Sequence, residues 1–181
     1  MYMVRAFFAV ELTDDIRNQC DAVQDMLRHS DAKLNWVNPA LAHITLKFLG
    51  DISDDLLRSV QEIMSEFSFK PTEITVSGVQ LHPKKRPRIV WADVSDNGWG
   101  EATVAELDRL LAPLGITSET RIFTPHVTLG RIKRYDPSLR AALEKVAGHA
   151  FGQMSVDTIT LKKSSLTPLG PVYEDVMEIT A

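Results

Sequence analysis

The sequence predicts an α+β fold: a bilobal molecule built from two duplicated split βαβ, ferredoxin-like units, with mostly antiparallel sheets, outer helices and a central groove. Three observations predict it. Short β-branched or aromatic runs, several with period-two alternation, recur between four helix signals. A single offset of 83 residues lays features of the second half of the chain over the first. A chain of 181 residues with 44% hydrophobic and 24% charged positions suits one ordinary globular domain, or two small lobes sharing a core.

In chain order, residues 4–10 read as a strand, and Thr13 caps a helix with the apolar stripe Ile16, Cys20, Val23 and Leu27. Residues 34–37 and 43–48 read as strands. Ser53 caps a second helix carrying Leu56, Leu57, Val60, Ile63 and Met64. Strands are expected at 73–81 and 88–94. A third helix runs from about Glu101 through Val104, Leu107 and Leu111 and stops near Pro113 and Gly115. After a strand at 126–132, Asp136 as cap and Pro137 in the first turn open a fourth helix with Leu139, Ala142, Leu143 and Val146. Strands at 154–161 and 172–179 close the chain.

The offset ties these elements together. Arg5 and Arg88, His43 and His126, Ser53 and Asp136, and Thr75 and Thr158 are each 83 positions apart, and the same shift lays RIVWADV over RAFFAVE. That is the spacing of one duplicated strand–helix–strand–strand–helix–strand unit, not of a solenoid. The whole of 1–181 is read as a single domain with repeats of approximately 3–82 and 88–179. Two such halves facing one another make a groove between their uncovered sheet faces, where function is expected.

Bulk properties exclude several classes. A net charge of −4 argues against gripping long nucleic acid through many phosphates, though not against reading one RNA end. Basic residues do cluster locally, at Lys84, Lys85, Arg86 and Arg88 and at Arg131, Lys133 and Arg134; for a charge run alone the plain reading is a solvated loop. Cys20 is the sole cysteine, so neither an internal disulfide nor a cysteine-based zinc cage is expected. The run AFFAV at residues 6–10 is too short for a signal-peptide core and is followed by Glu11, Asp14 and Asp15. No stretch has membrane-spanning length. A cytoplasmic chain with no membrane association is expected.

Chemistry is concentrated in two HxTL motifs, His43-Ile44-Thr45-Leu46 and His126-Val127-Thr128-Leu129. In a strand, His43 and Thr45 share one face while Ile44 and Leu46 enter the core, and the second copy repeats the pattern. One such histidine beside an apolar run is ordinarily structural; a symmetric pair suits in-line displacement at phosphorus. The attacking water must lose a proton as the leaving sugar oxygen gains one, and imidazole titrates near neutrality, so one ring can act as base and the other as acid. Thr45 and Thr128 can donate to the non-bridging oxygens. Arg131 is the candidate cation, but it lies five residues after His126, where strict alternation turns it away; Gly130 before it permits a bulge that would re-aim it. Phe48 occupies the matching position in the first half; it reads first as a core aromatic, with base stacking as the alternative. His29, His82 and His149 lack the motif and are read as loop or surface residues. No carboxylate lies within either motif, so the scheme calls for no metal and no cofactor.

The pieces RAFFAVEL, NWVNPALAHITLKFLGDI, RPRIVWADV, TPHVTLGRIKR and SSLTPLGPVYE together resemble the RNA 2′,3′-cyclic phosphodiesterases, also called 2′-5′ RNA ligases, of the two-histidine phosphoesterase superfamily. The resemblance implies hydrolysis of a 2′,3′-cyclic phosphate to a 2′-phosphate, and the reverse 2′-5′ joining in similar enzymes. It implies His43 and His126 as the catalytic pair and Thr45, Thr128 and Arg131 on the phosphate; within the pair, we take His43 as proton donor and His126 as proton acceptor, a direction that the sequence does not show. Phe48, Lys84, Lys85 and Arg86 are the remaining candidates for RNA or base contacts. The expected partners are RNA ends or cyclic nucleotides; the chain is expected to act as a monomer without an obligate protein partner. Three rivals remain: a metalloenzyme, a catalytically silent nucleotide-binding module, and a phosphoesterase of the same superfamily acting on another cyclic or 2′-5′ nucleotide.

Overall fold

The computed structural model describes residues 3–168 and 170–181. Strand β1 (Met3–Glu11) runs into α1 (Asp14–Leu27), where Thr13 holds extended backbone and Asp14 and Asp15 sit against the positive end of the helix dipole. The stripe Ile16, Cys20, Val23 and Leu27 is buried, as its spacing predicts. Strand β2 (Lys33–Trp36) follows, then β3 (His43–Ser53), which runs beyond the predicted 43–48. Ser53 Oγ accepts from the Leu56 amide at 3.2 Å and opens α2 (Asp54–Met64).

Strands β4 (Thr72–His82) and β5 (Ile89–Ser95) precede α3 (Trp99–Leu111). That helix starts before the predicted Glu101 because two residues outside the apolar stripe cap it. Gly98 adopts the left-handed conformation (φ 83°), and the Asp96 carboxylate accepts from the Gly98 and Gly100 amides at 3.0 and 2.8 Å. Strand β6 (His126–Arg134) leads to α4 (Ser138–Glu144), where Asp136 Oδ1 accepts from the Ser138 amide at 2.9 Å. The single strand expected at 154–161 is two, β7 (Ala150–Val156) and β8 (Thr158–Thr167), broken at Asp157. Alternation shifts by one at the polar pair Asp157-Thr158, a one-residue slip that the short apolar spacing on either side obscures. Strand β9 (Gly170–Thr180) is last.

Every strand pairing is antiparallel, and one sheet runs β7-β4-β5-β6-β3-β1-β8-β9, with β2 also pairing with β6. The middle of the sheet is its narrowest join. There β3 meets β6 through Ile44 and Val127, two residues themselves 83 apart, so a local two-fold axis passes through that pair. The sheet halves on either side of the join do not follow the halves of the sequence. β4 pairs with β5 and β7, whereas β8 pairs with β1 and β9, so each side borrows its third strand from the other half of the chain. Helix α1 packs on β6, β7 and α4; α2 and α3 pack on β3, and α2 also on β1. The helix-side residues form one apolar cluster that includes Phe8, Val10, Ile44, Leu46, Val127 and Leu129. The opposite sheet face is the groove. Among the described residues no helix is long and apolar enough to cross a membrane.

Candidate active site

The two motif strands are adjacent, and the register of the join fixes what faces what. With Ile44 opposite Val127, continuing the antiparallel register by one residue sets His43 against Thr128 and Thr45 against His126. All four side chains are half-buried, while Ile44 and Val127 between them are buried on the helix side. Both imidazoles are held alike. His43 Nδ1 bonds the Leu41 carbonyl at 2.8 Å, and His126 Nδ1 bonds the Thr124 carbonyl at 2.8 Å. A carbonyl only accepts, so each Nδ1 carries the proton, and each Nε2 is left without a hydrogen-bond partner among the described residues. The hydroxyls of Thr45 and Thr128 have no side-chain hydrogen bond among the described residues, and the Arg131 guanidinium has neither hydrogen bond nor ion pair.

Arg131 and Phe48 reach this face through a matched pair of bulges. On β6, Thr128 pairs with Trp91 and Gly130 with Val90, so Leu129 is the extra residue. On β3, Thr45 pairs with Ala9 and Lys47 with Phe8, so Leu46 is the extra residue, at the equivalent position. Two successive residues then point to the helix side on each strand, and alternation resumes shifted by one. Arg131, five residues after His126, therefore joins the histidine face. So does Phe48, which is 55% exposed and lies 5.8 Å from the Phe7 ring, itself stacked on His43 at 5.1 Å. Phe48 is a groove aromatic rather than a core one. The bulge on β6 is anchored from behind, because the Leu129 carbonyl accepts from the Val37 amide at 3.0 Å and from buried Gln24 Nε2 at 2.9 Å.

Sequence reasoning missed the walls of the site. His43 stacks on Phe7 and meets the edge of Tyr173 at 5.4 Å. The His126 ring lies against Trp91 at 4.3 Å, tilted by 31°, and Trp91 stacks on His82 at 4.1 Å. His82, read as a loop or surface residue, is exposed but ends β4 on the groove face. His29 and His149 lie elsewhere, bonded to the Asp25 carbonyl and to Gln19 Oε1. A carboxylate pairs across the strand from each histidine: Glu11 opposite His43 and Asp93 opposite His126. Asp93 accepts from Gln80 Nε2 at 2.6 Å and Trp91 Nε1 at 3.0 Å, both neutral donors. Glu11 instead accepts from Lys162 Nζ at 2.5 Å and pairs with Arg17; Lys162 also reaches Asp175 at 2.6 Å. A signal for these walls was present: in VRAFFAVE, Phe7 and Glu11 fall on one period-two face, and in RIVWADV so do Trp91 and Asp93.

Burial lowers both histidines below the ordinary 6.5, and their further influences differ. For His43 the Leu41 hydrogen bond and the nearby Glu11 charge oppose burial, while Lys162 and Arg17 add to it. For His126 the Thr124 bond opposes burial, and the leading charges, His82 and Arg131, both push further down, with Asp93 opposing. Burial also works against the Lys162 charge, but its bonds to Asp175 and Glu11 outweigh that and hold the ammonium above its usual range. Glu11, Lys162, Asp175 and Tyr173 line a small pocket of about 180 Å³ with Ala40 and Leu41. Lys84, Lys85 and Arg86 sit outside the histidine cluster, exposed in the β4–β5 turn. Among the described residues no group of three or more His, Cys, Asp and Glu side chains could hold a metal ion.

Comparison with known proteins places these features in a family. A family model described as LigT-like phosphoesterase matches residues 10–91 and 99–173, spans that include both motifs. The chain is 34% identical to the RNA 2′,3′-cyclic phosphodiesterase of Methanothermobacter thermautotrophicus over 96% of either chain. It is 36% identical to the protein of that name from Aquifex aeolicus, over 98% of this chain and 97% of the relative. Among solved structures, TT0787 of Thermus thermophilus superposes with a TM-score of 0.79 at 26% identity, covering 97% of both chains. Apo E. coli LigT shares the fold with a TM-score of 0.81 at 22% identity, covering 99% of this chain and 98% of that one. The chain belongs to the LigT-like phosphoesterases, a family of enzymes.

Proposed function

We propose that this enzyme hydrolyses RNA 2′,3′-cyclic phosphate ends to 2′-phosphates by a metal-independent, two-histidine mechanism. One observation carries the reading: two imidazoles on one sheet face, each anchored through Nδ1 to the main chain and each offering Nε2. Water attacks phosphorus as His126 Nε2 accepts its proton; the bond from phosphorus to the 3′ oxygen breaks, and that oxygen takes the proton of His43. Thr45, Thr128 and Arg131 donate to the non-bridging oxygens as charge develops there.

The unequal surroundings of the two rings support this direction. Glu11 is the foremost charge acting on His43 and favours its protonated form, whereas His82 and Arg131 favour the neutral form of His126. With the 5′-hydroxyl of a second RNA in place of water, the same groove joins a 2′,3′-cyclic phosphate end to it through a 2′-5′ linkage, His126 taking the proton of the attacking hydroxyl and His43 giving one to the departing 3′ oxygen. Phe48 stacks the terminal base, and Lys84, Lys85 and Arg86 hold the strand beyond it. Because both motifs come from one polypeptide, the chain acts as a monomer without an obligate partner; its proposed location is the cytoplasm.

The test is turnover of an oligonucleotide ending in 2′,3′-cyclic phosphate, in chelator, with the product phosphate position assigned. His43→Ala and His126→Ala are each expected to lose about 10²–10⁴-fold in kcat. Normal turnover by both variants would refute the mechanism. Activity lost to chelator and restored by zinc would make the protein a metalloenzyme instead.

A further inference from the structure

The stack His126–Trp91–His82 continues away from the catalytic pair and ends on an open ring. Trp91 is only 8% exposed because His126 lies against it at 4.3 Å and His82 at 4.1 Å with an interplanar angle of 18°. Neither face of the indole is left for a ligand. His82 has one face on Trp91, and among the described residues no other ring and no hydrogen bond to its imidazole engages it. It is exposed, at the last position of β4. The turn that follows carries Lys84, Lys85 and Arg86, all exposed and none in an ion pair among the described residues.

A flat ring fixed from behind, next to unneutralised cations, is the pattern by which proteins hold single-stranded nucleic acid: the ring takes a base and the cations take the backbone. From this stack we infer that His82 is a second base platform, holding the nucleobase on the 5′ side of the terminal nucleotide, so that the enzyme prefers an RNA strand to a cyclic mononucleotide. The inference rests on the cyclic-phosphodiesterase reading above. It adds to the phosphate site a direction: the strand leaves the catalytic pair along Trp91 and His82 toward the β4–β5 turn.

The experiment compares kcat/KM for a dinucleotide ending in 2′,3′-cyclic phosphate with that for a 2′,3′-cyclic mononucleotide, in the wild type and in His82→Ala and His82→Tyr. Loss of one stacking surface should cut the dinucleotide-to-mononucleotide ratio about ten-fold or more in His82→Ala, mainly through KM, and His82→Tyr should restore it. An unchanged ratio in His82→Ala overturns the inference. So does an equal fall for both substrates, since His82 would then only buttress Trp91 and His126. So does a lost ratio that His82→Tyr leaves unrestored. If the wild type turned over neither substrate, the underlying reading would fall too; turnover with an unmoved ratio would sink the platform alone.

Discussion

Each groove imidazole commits its Nδ1 proton to a carbonyl two residues back, Leu41 for His43 and Thr124 for His126, so Nε2 is the nitrogen left to gain or lose a proton. Burial depresses both rings from the ordinary 6.5, with Lys162 and Arg17 adding to it at one and His82 and Arg131 at the other. A mechanism that needs one ring neutral and one protonated then gives a bell whose maximum in kcat/KM, which reports the free enzyme, lies below pH 6.5. Initial rates at subsaturating cyclic nucleotide across pH check this; a maximum well above 7 would contradict it. The same shifts act on folding. The unfolded rings bind protons near 6.5, the folded rings only at lower pH, so stability is full above 6.5 and falls as the pH drops through the window beneath it. Thermal melts of His43→Gln and His126→Gln should lose part of that acid-side fall. At this scale the sequence was most informative. The paired motif shows its own face, and Glu11 and Asp93 lie on the same period-two faces as Phe7 and Trp91. The contact of His82 with Trp91 was not legible, because the two residues lie on neighbouring strands.

The bulges at Leu46 and Leu129 are one device used twice, and what fills the space behind each differs. Behind β6 the filler is β2: a Cβ on Gly130 would lie 3.0 Å from Trp36 Cε3 and 3.2 Å from Leu34 Cδ2. Behind β3 the equivalent position is Lys47, 1% exposed, whose ammonium sits 2.5 Å from Asp108 on α3 and donates to the Thr117 carbonyl at 2.9 Å. Gly130→Ala should destabilise by about 1–3 kcal/mol through overpacking and lower kcat/KM by moving Arg131. Lys47→Ala, which strands Asp108, should cost about 3–5 kcal/mol, while Lys47→Met with Asp108→Leu should come out near neutral. Urea unfolding of the variants reads both. Gly130 announces its bulge in the sequence. Lys47 does not, because a lone lysine reads as solvent-facing until distant Asp108 is seen to meet it, and Phe48 therefore reads as core.

Over the whole molecule, many cations stand outside ion pairs, and seven of them gather where β2, the end of β6 and the β4–β5 turn meet. Lys33, Lys84, Lys85, Arg86, Arg88, Lys133 and Arg134 take part in no ion pair among the described residues, while Arg5, Arg17, Arg28, Lys47, Arg58, Arg109, Lys162 and Lys163 all do. A net charge of −4 thus conceals a basic strip beside one end of the groove. Neutralising Lys84, Lys85 and Arg86 together should weaken oligonucleotide binding and flatten its dependence on log salt, by roughly 0.7 for each phosphate the turn no longer neutralises. Titrations of a 3′-phosphorylated oligonucleotide at several salt concentrations measure the slope; an unchanged slope would exclude that turn from the RNA path. The 83-residue offset makes the related strands visible, but which strand lies beside which is set by packing between the halves, and nothing local to β4 or β8 in the sequence records that they trade places.

That trade has a consequence on the ribosome. β1, with Phe7 and Phe8 at its centre, needs β3 on one edge and β8 on the other, and β8 ends only at Thr167. At ordinary elongation rates of about 5–20 residues per second, the chain spends roughly ten to thirty seconds with that edge open. An apolar strand with an unpaired edge is the usual template for aggregation. Production of this enzyme should therefore depend on chaperone supply and on translation speed more than its modest size implies, and slowing elongation between Glu11 and Thr158 should lower the yield of folded protein.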